Sequence, residues 1–256
     1  MDPTFLRTPD RLPRPVVFDQ RWTDLTFLHW AVDPAAVAPY LPPGTRPDVW
    51  SDGATYVGLV PFRMTHAGPG HLPVPYFGWF AETNIRLYSV DDEGRHGVVF
   101  RSLEASRLAV VLLARFGVRI PYVWSRMSID HDDRDRRYRS TRRWPGAGPS
   151  TDIAVRIGGR TKPTPVEEFL TMRWGMHSVW PDVGRARAQP VRRAPAASSV
   201  WFPNAHDPWP LFEAELLGLD DGLAAAAGFD LTPEPDLRPL WSPGVRTRFG
   251  RPTRLR

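Results

Sequence analysis

The sequence predicts an α+β fold, a curved antiparallel sheet or barrel with a few packed helices. Short runs rich in Val, Ile, Thr, Tyr and Phe alternate with turns of Gly, Pro and Asp along most of the chain. Helical periodicity is confined to a few brief stretches. With 256 residues, 42% of them hydrophobic, the chain can bury a full core. The organisation expected is an extended arm over 1–15, a single domain over 16–250 and a basic tail over 251–256.

From the N-terminus, Trp22, Leu25, Phe27 and Trp30 suggest a helix-like turn running into a strand. Asp33 can cap a short helix with Pro34 at its first position, which Pro39 or Pro42 must end. Thr55 to Met64 reads as a strand, and Pro61 within it calls for an edge, a bulge or a corner. A Gly, Pro and His loop covers 65–75. Phe80 to Val90 and Gly97 to Ala105 flank an Asp-Asp-Glu-Gly turn and read as a hairpin. Leu108, Val111 and Leu112 recur at helical spacing, with Ser106 as a cap and Gly117 as a terminator. Tyr122 to Ile129 and Arg136 to Trp144 alternate as two strands, and Thr151 to Ile157 is a third. Thr164 and Pro165 open another helix, a loop is expected over 181–199, a short helix after Pro210, and an Ala-rich helix at Leu223 to Ala227 ended by Gly228.

The hairpin carries the most informative residues. Glu82, Asn84 and Arg86 occupy alternate positions of one strand and share a face. Pairing about the turn centre sets Asn84 opposite Glu104 and Arg86 opposite Ser102, which gathers two carboxylates, a guanidinium and an amide on one patch. A carboxylate in apolar surroundings has a raised pKa and suits proton transfer, and an arginine can hold a substrate anion bidentately. A structural ion pair is the alternative. Glu104, beside the helix start, could merely complement its dipole. His206 could reach the site from a loop as an acid or base, or stabilise a turn, and His29 between Leu28 and Trp30 reads as a core histidine or a ligand contact. Tyr88, Phe100, Tyr122 and Trp124 could line an apolar ligand site or simply fill the core.

Other chemistries find no support. The chain has no cysteine, His66 and His71 have no supporting carboxylate, and no HExxH or EF-hand pattern occurs, so no metal is expected. No phosphate-binding glycine pattern leads into a helix, so no nucleotide cofactor is expected, and Ser102 lacks a nucleophile elbow. The net charge of +5 raises nucleic-acid binding, yet only Lys162 among 33 basic residues is a lysine, as a GC-rich coding bias produces. The arginines are interleaved with acids and no nucleic-acid motif accompanies them, which disfavours that partner. No leader-like segment and no run of ~18 apolar residues is present, so a cytoplasmic protein without a membrane span is expected.

The ordered blocks LTFLHW (25–30), TYVGLVPFRM (55–64), ETNIRLY (82–88), GVVFRSLEASR (97–107), IPYVWSRM (120–127), EEFLTMRW (167–174), HDPWPL (206–211) and SPGVRTRFGRP (242–252) resemble those of the YqjF-like family, also called DUF2071. That family is similar in turn to the acetoacetate decarboxylase superfamily. The resemblance implies a curved antiparallel β-barrel enclosing a small-molecule pocket, a glutamate at the position of Glu82, and relatives that form homo-oligomers. Acetoacetate decarboxylases use a buried Schiff-base lysine. The corresponding turn here, Ile120 to Val123, has none, and Lys162 sits in a Gly- and Pro-flanked surface loop. The expectation is therefore a cofactor-independent enzyme acting on a small carbonyl or carboxylate compound by acid/base chemistry: decarboxylation, enolisation, dehydration or cyclisation. The alternative is a non-catalytic small-molecule binding protein.

Overall fold

A computed structural model describes residues 12–118, 120–181 and 197–255. Thirteen strands form one sheet: β1 (Phe18–Val32), β2 (Thr45–Pro47), β3 (Thr55–Pro69), β4 (Phe80–Asp91), β5 (His96–Ala105), β6 (Tyr122–Asp132), β7 (Asp135–Trp144), β8 (Ser150–Arg160), β9 (Gly175–Pro181), β10 (Ala197–His206), β11 (Phe212–Asp221), β12 (Leu240–Phe249) and β13 (Thr253–Arg254). Pairings run from β5 through β6, β7, β8, β11, β12, β1 and β3 to β4, which pairs with β5 again, so the sheet curves into a ring. A second path from β5 through β9 and β10 returns to β12. The predicted curved sheet is thus present, with a correction: β5 pairs in parallel with both β6 and β9, and the other pairings are antiparallel.

Strands β1, β3, β4 and β5 form a wall between two packed regions. One face contributes Leu28, Val57, Leu59, Ile85, Leu87 and Val99 to a core shared with Tyr138, Ile153 and Val155 of β7 and β8. The other face contributes Phe27, Val60, Phe62, Phe80, Tyr56 and Tyr88 to cores completed by Met176, Val200 and Phe202 of β9 and β10 and by Leu240 and Val245 of β12. A strand buried on both sides shows no polar alternation. The helix-like turn expected near Trp22 is corrected to strand, which runs through all of β1. Pro61 lies where the β1–β3 register breaks between Thr23 and Leu28, so the irregularity expected of it is present.

Among the described residues, four short α-helices cover this frame. The first, α1 (Pro34–Val37), starts as predicted: the Asp33 side chain accepts from the Ala35 N–H. In α2 (Leu108–Leu113), which runs into a π-helical turn, no side chain caps the N-terminus; Ser106 Oγ instead accepts from the Ala81 N–H at 3.1 Å. The third, α3 (Pro165–Thr171), has a full capping box of Thr164 and Glu167. The fourth, α4 (Leu223–Ala226), ends before Gly228, whose φ is +99°. No helix follows Pro210, where β11 begins instead. The strand β3 extends through 65–69, shortening the predicted loop, and residues 253–254 of the basic tail add β13 to the sheet edge. Most of the predicted 181–199 loop, and residues 1–11 of the predicted arm, lie outside the described residues. Among the described residues no helix is long and apolar enough to cross a membrane.

Gly244 opposes Thr23 across β12 and β1 at φ +119°, and a Cβ there would stand 1.8 Å from the Trp22 carbonyl oxygen. Gly244→Ala should cost about 1–3 kcal/mol through backbone strain at this junction. Urea unfolding of the two proteins measures it, and an unchanged midpoint would contradict the account.

Candidate functional site

Even-numbered residues of β4 face the region closed by β9, β10 and β12, and they bring the predicted polar set together. Glu82 is 3% exposed, and the Tyr122 hydroxyl of β6 donates to its Oε2 at 2.8 Å. Burial pushes the Glu82 carboxyl up to about 7, against the opposing influence of Tyr122, Asn84 and the Arg86 charge. Arg86 does not form an ion pair with Glu82; its Nε donates to Asn84 Oδ1 at 2.9 Å, and its guanidinium lies 5.9 Å from the Phe100 ring centroid. Burial lowers the Arg86 pKa.

The row beside Arg86 explains how so much polarity fits on one sheet face. His29 pairs with Gly58 across β1 and β3, and Gly58 pairs with Arg86 across β3 and β4. A Cβ on Gly58 would meet Arg86 Cγ at 2.9 Å, the Tyr88 hydroxyl at 3.1 Å and His29 Cδ2 at 3.2 Å. The bare backbone is the floor on which these three side chains converge. The Tyr88 hydroxyl and His29 Nε2 lie 2.6 Å apart. Burial, then the charges of Arg86 and Arg173, press the His29 pKa down to about 3, so the imidazole is neutral at physiological pH.

His206 closes the site from β10. Its Nδ1 donates to the Asp207 carbonyl at 2.8 Å, and its ring lies tilted against Trp174 and Trp209, with centroids 4.6 and 5.0 Å away. Burial lowers its pKa, and the nearby Arg86 charge adds to this. Arg173, just beyond α3, sits 4.8 Å from the Tyr88 ring centroid and is ion-paired with Asp48, which it and His96 hold below the usual carboxylate range despite burial.

The hairpin register differs from that expected. Asn84 opposes Leu103, Thr83 opposes Glu104, and Phe100, not Ser102, opposes Arg86 in the register set by the turn; a bulge between Arg86 and Ile85 then sets Ser102 opposite Ile85. Glu104 and Ser102 therefore point to the opposite side of the wall from Glu82. There Glu104, fully buried, accepts from Ser102 at 2.6 Å, from Ser125, and from Arg142 Nη2 at 2.5 Å. The single patch with two carboxylates is corrected to two sites on two faces. Trp124 packs against the core beside Tyr122, with Arg143 above its ring at 5.4 Å. Lys162 is exposed, as expected.

Sequence reading missed Gly58, Arg173 and Arg142. A lone glycine within the strand run TYVGLVPF signals a close backbone approach and could have identified the first. It also missed a second buried polar set, in which His177 lies between Ser89 Oγ at 2.8 Å and Asp91 Oδ2 at 3.1 Å. The Trp201 ring packs on His177 with centroids 4.7 Å apart.

The comparisons with known proteins agree with this architecture. The uncharacterized protein YqjF of Bacillus subtilis is 33% identical over 112 residues, which span 43% of this chain and 46% of that relative. An acetoacetate decarboxylase-like enzyme from Sphingomonas wittichii RW1 superposes with a TM-score of 0.66 at 13% identity, covering 94% of each chain. The enduracididine biosynthesis enzyme MppR complexed with pyruvate superposes with a TM-score of 0.61 at 16% identity, covering 94% of this chain and 91% of that one. These likenesses establish an acetoacetate decarboxylase-like fold. The sequence profile of DUF2071, described as an uncharacterized conserved protein, matches residues 19–246, and the chain belongs to that family.

Proposed function

We propose that this chain is an enzyme that moves a proton on a small carbonyl or carboxylate compound, without an imine-forming lysine. The observation that supports this best is the separation of Glu82 from Arg86. A purely structural pair would neutralise itself, whereas here the guanidinium is turned to Asn84 and the carboxyl holds a pKa of about 7. A group titrating there exchanges protons in either direction at little cost. Arg86 is placed to hold a substrate carboxylate or a developing enolate, and neutral His29 with Tyr88 supplies a fixed hydrogen-bonding wall. Tyr122 orients Glu82. Glu104 has no part in this reading because Arg142 and two serines occupy it. The pyruvate bound by the structurally similar MppR is of the ligand size and charge that Arg86 suits.

The test is deuterium incorporation from D2O into the carbon adjacent to the carbonyl of short 2-oxo and 3-oxo acids, followed by proton NMR. The enzyme should accelerate exchange for at least one acid. Arg86→Gln should weaken that acid's binding by at least tenfold, as loss of a charge-assisted hydrogen bond of about 1.5–3 kcal/mol requires. Binding of the acids without any exchange would make this a binding protein instead.

A further inference from the structure

Beside the end of β4 that carries Glu82, but outside the polar cluster, a hollow of about 610 Å³ opens to solvent. Four arginines line it: Arg63 from β3, Arg107 before α2, Arg126 from β6 and Arg143 from β7. Trp79 and Trp124 supply aromatic walls and Ser106 and Ser128 supply hydroxyls. No carboxylate is among the residues that line it. We propose that this hollow is a second binding site, for a small organic polyanion carrying phosphoryl or carboxyl groups.

The contrast with neighbouring arginines supports the assignment. Arg137, Arg139, Arg142 and Arg156, on or beside the same hairpin, each meet an Asp or Glu at 2.5–2.9 Å. Those of the hollow are held differently. Arg143 lies over Trp124 at 5.4 Å, and Arg107 lies over Tyr76 at 4.1 Å while donating to its hydroxyl at 3.2 Å. These ring contacts hold the Arg107 and Arg143 guanidiniums in position without a carboxylate partner. The Arg107 Nε is buried without an acceptor among the described residues. Arg63 reaches a carboxylate, Asp24, only at 3.9 Å, and Asp24 is shared with His131 and Arg136. Converging guanidiniums of this kind match planar oxyanions bidentately. The volume is that of a small-molecule site, and its concave form suits a compact anion better than an extended strand.

The inference is independent of the role given to Glu82, and one set of titrations separates the two. Pyrophosphate and citrate, titrated calorimetrically at 0.1 M salt, represent the phosphoryl and carboxyl sources. At least one should bind saturably with 1:1 stoichiometry. The double variant Arg126→Ala/Arg143→Ala should weaken it by at least tenfold, with the melting temperature unchanged because both side chains are exposed. Arg248→Ala, at an exposed arginine elsewhere, and Arg86→Gln should leave it unaltered. Equal loss in the Arg248→Ala control would reduce the effect to net charge, loss in Arg86→Gln alone would move the site to the Glu82 cluster, and absence of saturable binding by either anion would overturn the proposal. A single-stranded oligonucleotide bound through the same arginines, with neither small anion binding, would also overturn it.

Discussion

Glu82→Gln should lower proton exchange on the substrate by about 10²–10⁴-fold, the range expected for loss of a positioned acid/base group. The amide keeps the size and the acceptor for Tyr122 while removing the titratable proton. A second readout is independent of the substrate. Burial raises the carboxyl from its ordinary 4.5 to about 7, so folding takes up a proton between those values. The stabilisation associated with that proton is complete below pH 4.5 and is lost as pH rises through 7. Over this window wild type should lose on the order of 3 kcal/mol relative to the glutamine variant. Urea unfolding of both proteins at pH 4.5 and pH 8 measures the difference. If the gap between them does not change with pH, Glu82 does not titrate as described, and if the variant is unfolded throughout, its role is structural.

The other large effect is expected on the opposite face of the wall. Arg142→Met should destabilise the fold by about 3–5 kcal/mol, because it leaves the fully buried Glu104 carboxylate with only the hydroxyls of Ser102 and Ser125. Arg142 supplies two of the donors to Glu104 Oε1, at 3.1 and 2.5 Å. Replacing both partners removes the stranded charge, so Glu104→Gln/Arg142→Met should recover most of the loss. Chemical denaturation of the single and double variants tests this, and additive losses would show that the two groups do not act on each other.

These two expectations show what the sequence reveals and what it hides. The alternation of Glu82, Asn84 and Arg86 was enough to place them on one face, and Asp33, Pro34, Thr164 and Pro165 announced their helices through local capping chemistry. Local signals survive because they depend on neighbours in the chain. The bulge at Arg101, which sets Ser102 opposite Ile85 and sends Glu104 to the other face, depends on how two strands meet and leaves no mark of its own. Near Trp22, where a helix-like turn is expected, Trp22, Thr23 and Asp24 of β1 are all half-buried, so the alternation by which strands are recognised is absent. Arg142 was one arginine among many, and only the tertiary structure distinguishes it.

Consecutive residues of β4 serve different compartments, so the strand has a parity that evolution and engineering must both respect. Deleting one residue of β4 before Glu82, with the pairing upstream of the deletion held, would exchange the two sets: Thr83, Ile85 and Leu87 would enter the polar chamber, and a carboxyl, an amide and a guanidinium would be driven to the opposite face. Tolerated length changes in this protein should therefore come in pairs within the wall, with single insertions confined to the connections between strands.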